Sequence, residues 1–224
     1  MTITLFILAM LSSLVEWFAV SKGWHKIEYA AKPALMLFLS AWLVLSADVR
    51  GPLGWFLLGG LLSLAGDILL MLPNKERWFP FGLGAFLLAH VAYILGFNTP
   101  PPPFNPMTIG VAVMVVASAL PLIRRIVTGT AQTGQLRLVG PVRVYAAVIS
   151  LMLFSALLTL FRTDWLSTPA YLVSLGAVLF ISSDMLLAWN KFVNPIRHSP
   201  LWVMVTYDLG QMALIAGALG QFGK

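Results

Sequence analysis

Cysteine is absent from the 224 residues, which excludes disulfides, iron–sulfur clusters and thiol chemistry and leaves the compartment open. Charge is scarce as well. Asp, Glu, Lys and Arg make up 10% of the chain against 59% hydrophobic residues, where a soluble domain carries roughly 25% charge and about 45–50% apolar residues. No hydrophilic stretch is long enough for a soluble domain, and at a mean hydropathy of +0.89 the surface must be solvated by lipid. A basic patch with interleaved aromatics is also missing, so the net charge of +6 does not point to nucleic acid. Lys and Arg stand singly in short loops or at helix ends, where their use is to orient spans. Residues 1–21 hold neither Lys nor Arg, whereas Lys22, Lys26 and Lys32 follow the first apolar run. A cleavable secretory signal has the opposite order, so this run reads as a retained first span with its N-terminus outside.

What is there instead is a series of apolar stretches. A span needs about 20 mostly apolar residues, and the candidates are roughly 2–21, 33–48, 52–72, 80–97, 107–127, 141–161, 168–190 and 199–220. The expected fold is therefore all-α: a polytopic transmembrane helical bundle of about eight spans, with residues 1–224 as a single transmembrane domain. Gly51-Pro52, Pro73-Asn74 and the run Pro100–Pro103 supply turn chemistry between spans. Only the segment from Arg124 to Val139 is long enough to read as a true loop. Alternate connections hold Lys22, Lys26, Lys32, Lys75, Arg77, Arg124, Arg125, Arg137, Arg143, Lys191 and Arg197, 11 of the 14 basic residues, against Arg50, Arg162 and Lys224 on the other side. The positive-inside rule then puts the first set in the cytoplasm of a cell (inner) membrane and both termini outside.

The stretch Leu61–Met71 around Asp67 resembles Val178–Ala188 around Asp184 at an offset of 117, and the same offset places His90 opposite Tyr207. Both segments of each pair run in the same direction, the pattern of a parallel four-plus-four internal repeat. Four of the eight acids, Glu16, Asp67, Asp184 and Asp208, fall inside spans. An ionised Asp at the centre of a transmembrane helix costs about 2.5–3.5 kcal/mol on insertion scales, so these side chains must face a cavity, pair with something or stay protonated. Counted from the cytoplasmic helix ends, Asp67 and Asp184 lie roughly 8–9 Å deep, Tyr207 and Asp208 roughly 12–14 Å and His90 about 15 Å. Glu16 belongs to the same half, and Lys32, Arg143 and Tyr145 close that end. The polar residues thus converge on one cytoplasm-facing cavity. Asp67 and Asp184 are its expected centre, with Glu16 and Asp208 as supporting acids. His90, Tyr145, Tyr207 and Gln211 suit either the site or interhelical hydrogen bonds, and Lys32 and Arg143 suit the site or the interface.

Two carboxyls in one low-dielectric site do not ionise alike, which leaves an acid beside a base. That suits acid-catalysed hydrolysis of a bond brought in from the bilayer, and it also suits a proton- or cation-coupled transporter using the acids as a relay. The outer halves of the spans hold no ionisable residue, which favours a pocket open on one side. G-x-S-x-G and H-E-x-x-H motifs are missing, leaving a serine hydrolase or a zincin without support. A metal site from Asp67, His90, Asp184 and Asp208 is a third arrangement, and a single intramembrane His argues against a His-rich zinc site.

Several short motifs, in order and at their spacing, resemble a known family. They are Lys32-Pro33, Gly66-Asp67, Ala89-His90, Tyr145, the Gly176–Phe180 run leading to Ser183-Asp184, and Tyr207-Asp208-Leu209-Gly210-Gln211. Together they are similar to the YhhN-like lysoplasmalogenases, integral membrane proteins, over about residues 30–217. One departure is Ser183 before the second acid, where the first follows Gly66. The resemblance implies about eight spans and hydrolysis of the vinyl ether bond of lysoplasmalogens to a fatty aldehyde and glycerophosphoethanolamine or glycerophosphocholine, without a cofactor. It implies that one of Asp67 and Asp184 protonates the vinyl carbon while the other stabilises the oxocarbenium ion and activates water. His90, Tyr207 and Gln211 would orient water or the glycerol hydroxyl. Lys32 and Arg143 would hold the phosphate of a lysophospholipid drawn from the inner leaflet.

Overall fold

The computed structural model describes residues 2–223, except for the side chains of Lys75 and Glu76. Lys224 and the Lys75 side chain, both counted in the charge segregation, lie outside the described residues. Eight helices follow one another: α1 (Thr2–Lys22), α2 (His25–Ser46), α3 (Pro52–Met71), α4 (Lys75–Phe97), α5 (Pro106–Gln132), α6 (Leu136–Leu158), α7 (Ser167–Phe192) and α8 (Ser199–Phe222), with a 3₁₀ turn at Thr159–Phe161. No strand occurs among the described residues. All eight are long and apolar enough to cross a membrane, so the chain is a multi-pass membrane protein. The reason is local: in hydrocarbon every backbone N–H and C=O must find a partner within its own segment, and an uninterrupted helix does that.

Pro52, Pro106 and Pro200 stand in the first turns of α3, α5 and α8, where a missing N–H costs nothing. At α5 the Asn105 side chain accepts a hydrogen bond from the Thr108 N–H (3.1 Å) and the Asn105 N–H donates to Thr108 Oγ1 (3.1 Å), a reciprocal capping box.

The helices run past the apolar stretches that announce them. α2 begins at His25 and carries Pro33 in its interior, and α4 carries Pro80. α5 continues through Arg124 and Arg125 to Gln132 and α6 begins at Leu136, so the loop expected over 124–139 shrinks to a turn at Gly134, whose φ is +76°. A helix does not stop where hydrocarbon stops; it stops where backbone chemistry stops it, here a residue in the left-handed region that glycine enters freely. This also moves Lys32. It was expected at a helix end, but it sits two turns inside α2 and is 6% exposed.

Sequential helices pack as antiparallel pairs, with α7 on α8 and α3 on α4 the closest. A Cβ on Gly176 would lie 2.8 Å from the Gly210 carbonyl oxygen, so the α7 and α8 backbones touch there, as small residues permit in membranes. Phe56, Tyr93, Phe97, Phe180, Leu35 and Leu214 fill the centre and one end of the bundle. That end is also latched. The buried Arg162 guanidinium donates to the Phe97 carbonyl (2.9 Å), the Pro100 carbonyl (2.9 Å) and both Asp164 carboxylate oxygens (3.0 and 2.6 Å), which holds the Asp164 carboxyl below the usual carboxylate range. The opposite end, where α2, α4, α6 and α8 begin, is open.

Candidate active site

A cavity of ≈ 430 Å³ enters the bundle from the open end, and Asp67, Asp184, Lys32, Tyr145 and Tyr207 all line it. α3 supplies Asp67 and α7 supplies Asp184. Both carboxyls line the same cavity. Below them Phe86, Phe180 and Tyr207 pack edge to face (5.3–6.2 Å between centroids), and the buried His90 ring lies 4.7 Å from Phe180. This aromatic layer is the floor, in the edge-to-face geometry that aromatic quadrupoles favour.

The two acids have different neighbours. Asp67 is 1% exposed. Its Oδ1 lies 3.1 Å from the Lys32 ammonium, and its Oδ2 accepts a hydrogen bond from the Tyr207 hydroxyl (2.6 Å). A buried carboxylate is tolerable when it is paired and hydrogen-bonded in this way. The Asp184 side chain is 16% exposed to the cavity. Its Oδ2 accepts from the Tyr145 hydroxyl (2.5 Å) and lies 3.7 Å from His90 Nε2. No ammonium or guanidinium lies within 4 Å of Asp184 among the described residues. One carboxyl is thus an ion-paired wall residue, and the other is reachable from the cavity, hydrogen-bonded by Tyr145 and close to His90.

The remaining expected residues divide. Glu16 and Asp208 are fully buried and do not line the cavity. Asp208 Oδ2 accepts from the Trp17 indole N–H (2.8 Å), tying α1 to α8 behind Lys32. With Asp208 held there, the four residues Asp67, His90, Asp184 and Asp208 do not assemble as one ligand set, and no group of three acids or histidines converges on a metal position among the described residues. Gln211 lies away from the cavity, its Oε1 accepting from the Tyr93 hydroxyl (2.7 Å). Arg143 is exposed on α6 and absent from the lining, although its neighbours Val142 and Tyr145 are present. At the start of α6, the 100° step per residue turns Arg143 outward once Val142 faces in. Lys32 lines the cavity but is spent on Asp67.

Sequence reasoning missed the rim. His25, Glu28 and Tyr29 of α2, Phe79 of α4, and Asn190 and Lys191 of α7 line the mouth. The signal was helical phase. Glu28 stands one turn before Lys32, and Lys191 stands two turns after Asp184, each on the same face.

Fold and site together define a multi-pass membrane protein with a one-mouthed, two-carboxyl cavity set below the end of its helices. The chain belongs to the YhhN family, whose model matches residues 27–218. It is 33% identical over 204 residues to a lysoplasmalogenase of Mycobacterium tuberculosis, covering 87% of this chain and 71% of that protein. It is 29% identical over 216 residues to the lysoplasmalogenase TMEM86B of Mus musculus, covering 96% and 84%, and 28% identical over 201 residues to that of Homo sapiens, covering 88% and 76%. No solved structure matches the chain.

Proposed function

We propose that this protein is a membrane-embedded hydrolase that cleaves the vinyl ether bond of lysoplasmalogens, releasing a fatty aldehyde and glycerophosphoethanolamine or glycerophosphocholine. The observation that carries the reading is the unlike pair of carboxyls in one cavity, Asp67 ion-paired with Lys32 and Asp184 open to the cavity beside Tyr145. Relatives named lysoplasmalogenase, at about this similarity over most of the chain, support the same chemistry. A relay reading would need a polar path to both faces, and the aromatic floor and the Arg162 latch offer none.

The carboxyl of Asp184 gives its proton to the outer vinyl carbon, which turns the ether carbon into an oxocarbenium ion. The Asp67 carboxylate, held in place by Lys32 and Tyr207, stabilises that cation and takes a proton from the attacking water. The hemiacetal then collapses. Its hydroxyl proton returns to Asp184, the proton on Asp67 passes to the glycerol oxygen, and aldehyde and alcohol leave with both carboxyls restored. Tyr145 and His90 position Asp184, and Tyr207 positions Asp67.

The whole chain acts as one transmembrane unit. The charge segregation supports a cavity mouth at the cytoplasmic face of the cell membrane, with both termini outside and substrate drawn from the inner leaflet. The test is aldehyde release from lysoplasmalogen by the detergent-purified protein. Release by the wild type and its loss in Asp184→Asn and Asp67→Asn are expected. No aldehyde from the wild type overturns the enzymatic reading, and release that survives both substitutions overturns the site.

A further inference from the structure

The cavity does not end at the acids; it continues outward to a rim carrying charge of both signs on different helices. On α7, Lys191 lines the mouth with its ammonium 4.3 Å from the ring centroid of Phe79. No carboxylate lies within 4 Å of it among the described residues. Beside it, Asn190 Oδ1 accepts the Ile196 N–H (2.9 Å), which turns the amide NH₂ away from that contact and leaves two donors for the cavity. On α2, Glu28 lies 3.2 Å from His25 Nδ1. The ring of the neighbouring Tyr29 is pinned by its hydroxyl, which donates to the Met71 carbonyl (2.7 Å). A carboxylate and an aromatic ring lining one rim can each attract a cation, and a lysine with an amide beside it suits a phosphate.

Helix geometry gives the spacing. Lys191 follows Asp184 by seven residues on the same face of α7, about 10 Å nearer the mouth, and Glu28 precedes Lys32 by four residues, about 6 Å nearer the mouth. That separation between the reacting carboxyls and the charged rim is the reach of a glycerol carrying a phosphate ester. We infer that the rim is a subsite for a zwitterionic glycerophospho headgroup, with Lys191 and Asn190 on the phosphate and Glu28 and Tyr29 on the ammonium. This rests on the hydrolase reading and assigns the headgroup to side chains other than Lys32 and Arg143.

The test uses the purified full chain and three substrates sharing one alkenyl chain: an alkenylglycerophosphoethanolamine, an alkenylglycerophosphate and an alkenylglycerol. Lys191→Ala is expected to raise KM roughly tenfold for both phosphate-bearing substrates, the scale of one charge-assisted hydrogen bond, and to change it less than about twofold for alkenylglycerol, with Lys191→Arg recovering most of the loss. Glu28→Gln is expected to raise KM for the ethanolamine substrate alone. Lys26→Ala, an exposed lysine outside the cavity, changes none of the three. Equal effects of Lys191→Ala on all three substrates, or no effect on any, overturn the subsite. If the wild type cleaves none of them, the hydrolase reading falls. The subsite is then judged by calorimetric binding of lysophosphatidylethanolamine, which Lys191→Ala must weaken about tenfold for the inference to stand.

Discussion

Asp67 and Asp184 stand 117 residues apart in stretches of similar sequence, and their surroundings are alike in one respect and opposite in another. Each takes one partner from the second helix of its own half of the chain and one from the last helix of the other half. Asp67 meets Lys32 of α2 and Tyr207 of α8, while Asp184 meets Tyr145 of α6 and His90 of α4. The offset that relates the acids also relates His90 to Tyr207, so the crossed contacts are each other's exchange partners. The second-helix partners are not equivalent, a lysine on one side and a tyrosine on the other. A single cation placed on one of two related carboxyls makes them chemically unlike. Both partners differ between the two acids, a lysine and a tyrosine at Asp67 against a tyrosine and a histidine at Asp184, and the lysine alone brings a permanent cation.

The comparison breaks most sharply at the acids themselves. Asp184→Asn removes the carboxyl proposed above as the proton donor, and a loss of kcat of about 10²–10⁴-fold is expected in aldehyde release. Thermal stability should stay near wild type, because no buried cation is left behind. Asp67→Asn should lose activity on the same scale but also unfold earlier. It strands the buried Lys32 ammonium, a cost of about 3–5 kcal/mol for breaking a buried pair. Denaturation in detergent would read that difference, and Lys32→Met added to Asp67→Asn should restore stability without restoring activity. Equal destabilisation by the two Asn variants would refute the asymmetry.

A smaller effect is expected at the tyrosines. Tyr145→Phe and Tyr207→Phe each remove one hydrogen bond to a carboxyl, worth about 1.5–3 kcal/mol for a charged acceptor and less for a neutral one. Tyr207→Phe should therefore cost more stability than Tyr145→Phe, and both should lower kcat with KM little changed. Steady-state kinetics separates the two parameters.

The smallest expected effect lies at the closed end and serves as a contrast to the site. Arg162→Ala should lower the unfolding temperature by releasing four hydrogen bonds, while activity per folded molecule persists. Acid should loosen the same latch. The Asp164 carboxyl is held below its ordinary range by Arg162, so it binds its proton less readily folded than unfolded. Its stabilisation is present above the ordinary carboxylate range, about pH 4, and is lost as pH falls through the depressed folded value. An acid melting series should show wild type approaching Arg162→Ala below that pH.

Much of this molecule was determined along the chain alone. Eight apolar stretches of spanning length become eight helices, because the cost of an unsatisfied backbone in lipid is local and leaves no other conformation. Asp67 and Asp184 stood out for a similarly local reason, the desolvation of a charge within a span. Tertiary structure decided the rest. Helix ends at His25 and Phe192 lay beyond the hydropathy signal, so the rim residues Glu28, Tyr29 and Lys191 were invisible until those turns were seen to be helical. Lys32 suited either the site or the interface and is a buried counterion of Asp67, since which carboxyl it meets depends on how α2 leans against α3. Gln211 and Arg143 suited the site by sequence but turn elsewhere, toward Tyr93 and outward. Composition and period set what crosses the membrane; the rotation of each helix about its own axis, fixed only by its neighbours, set which side chains share a cavity.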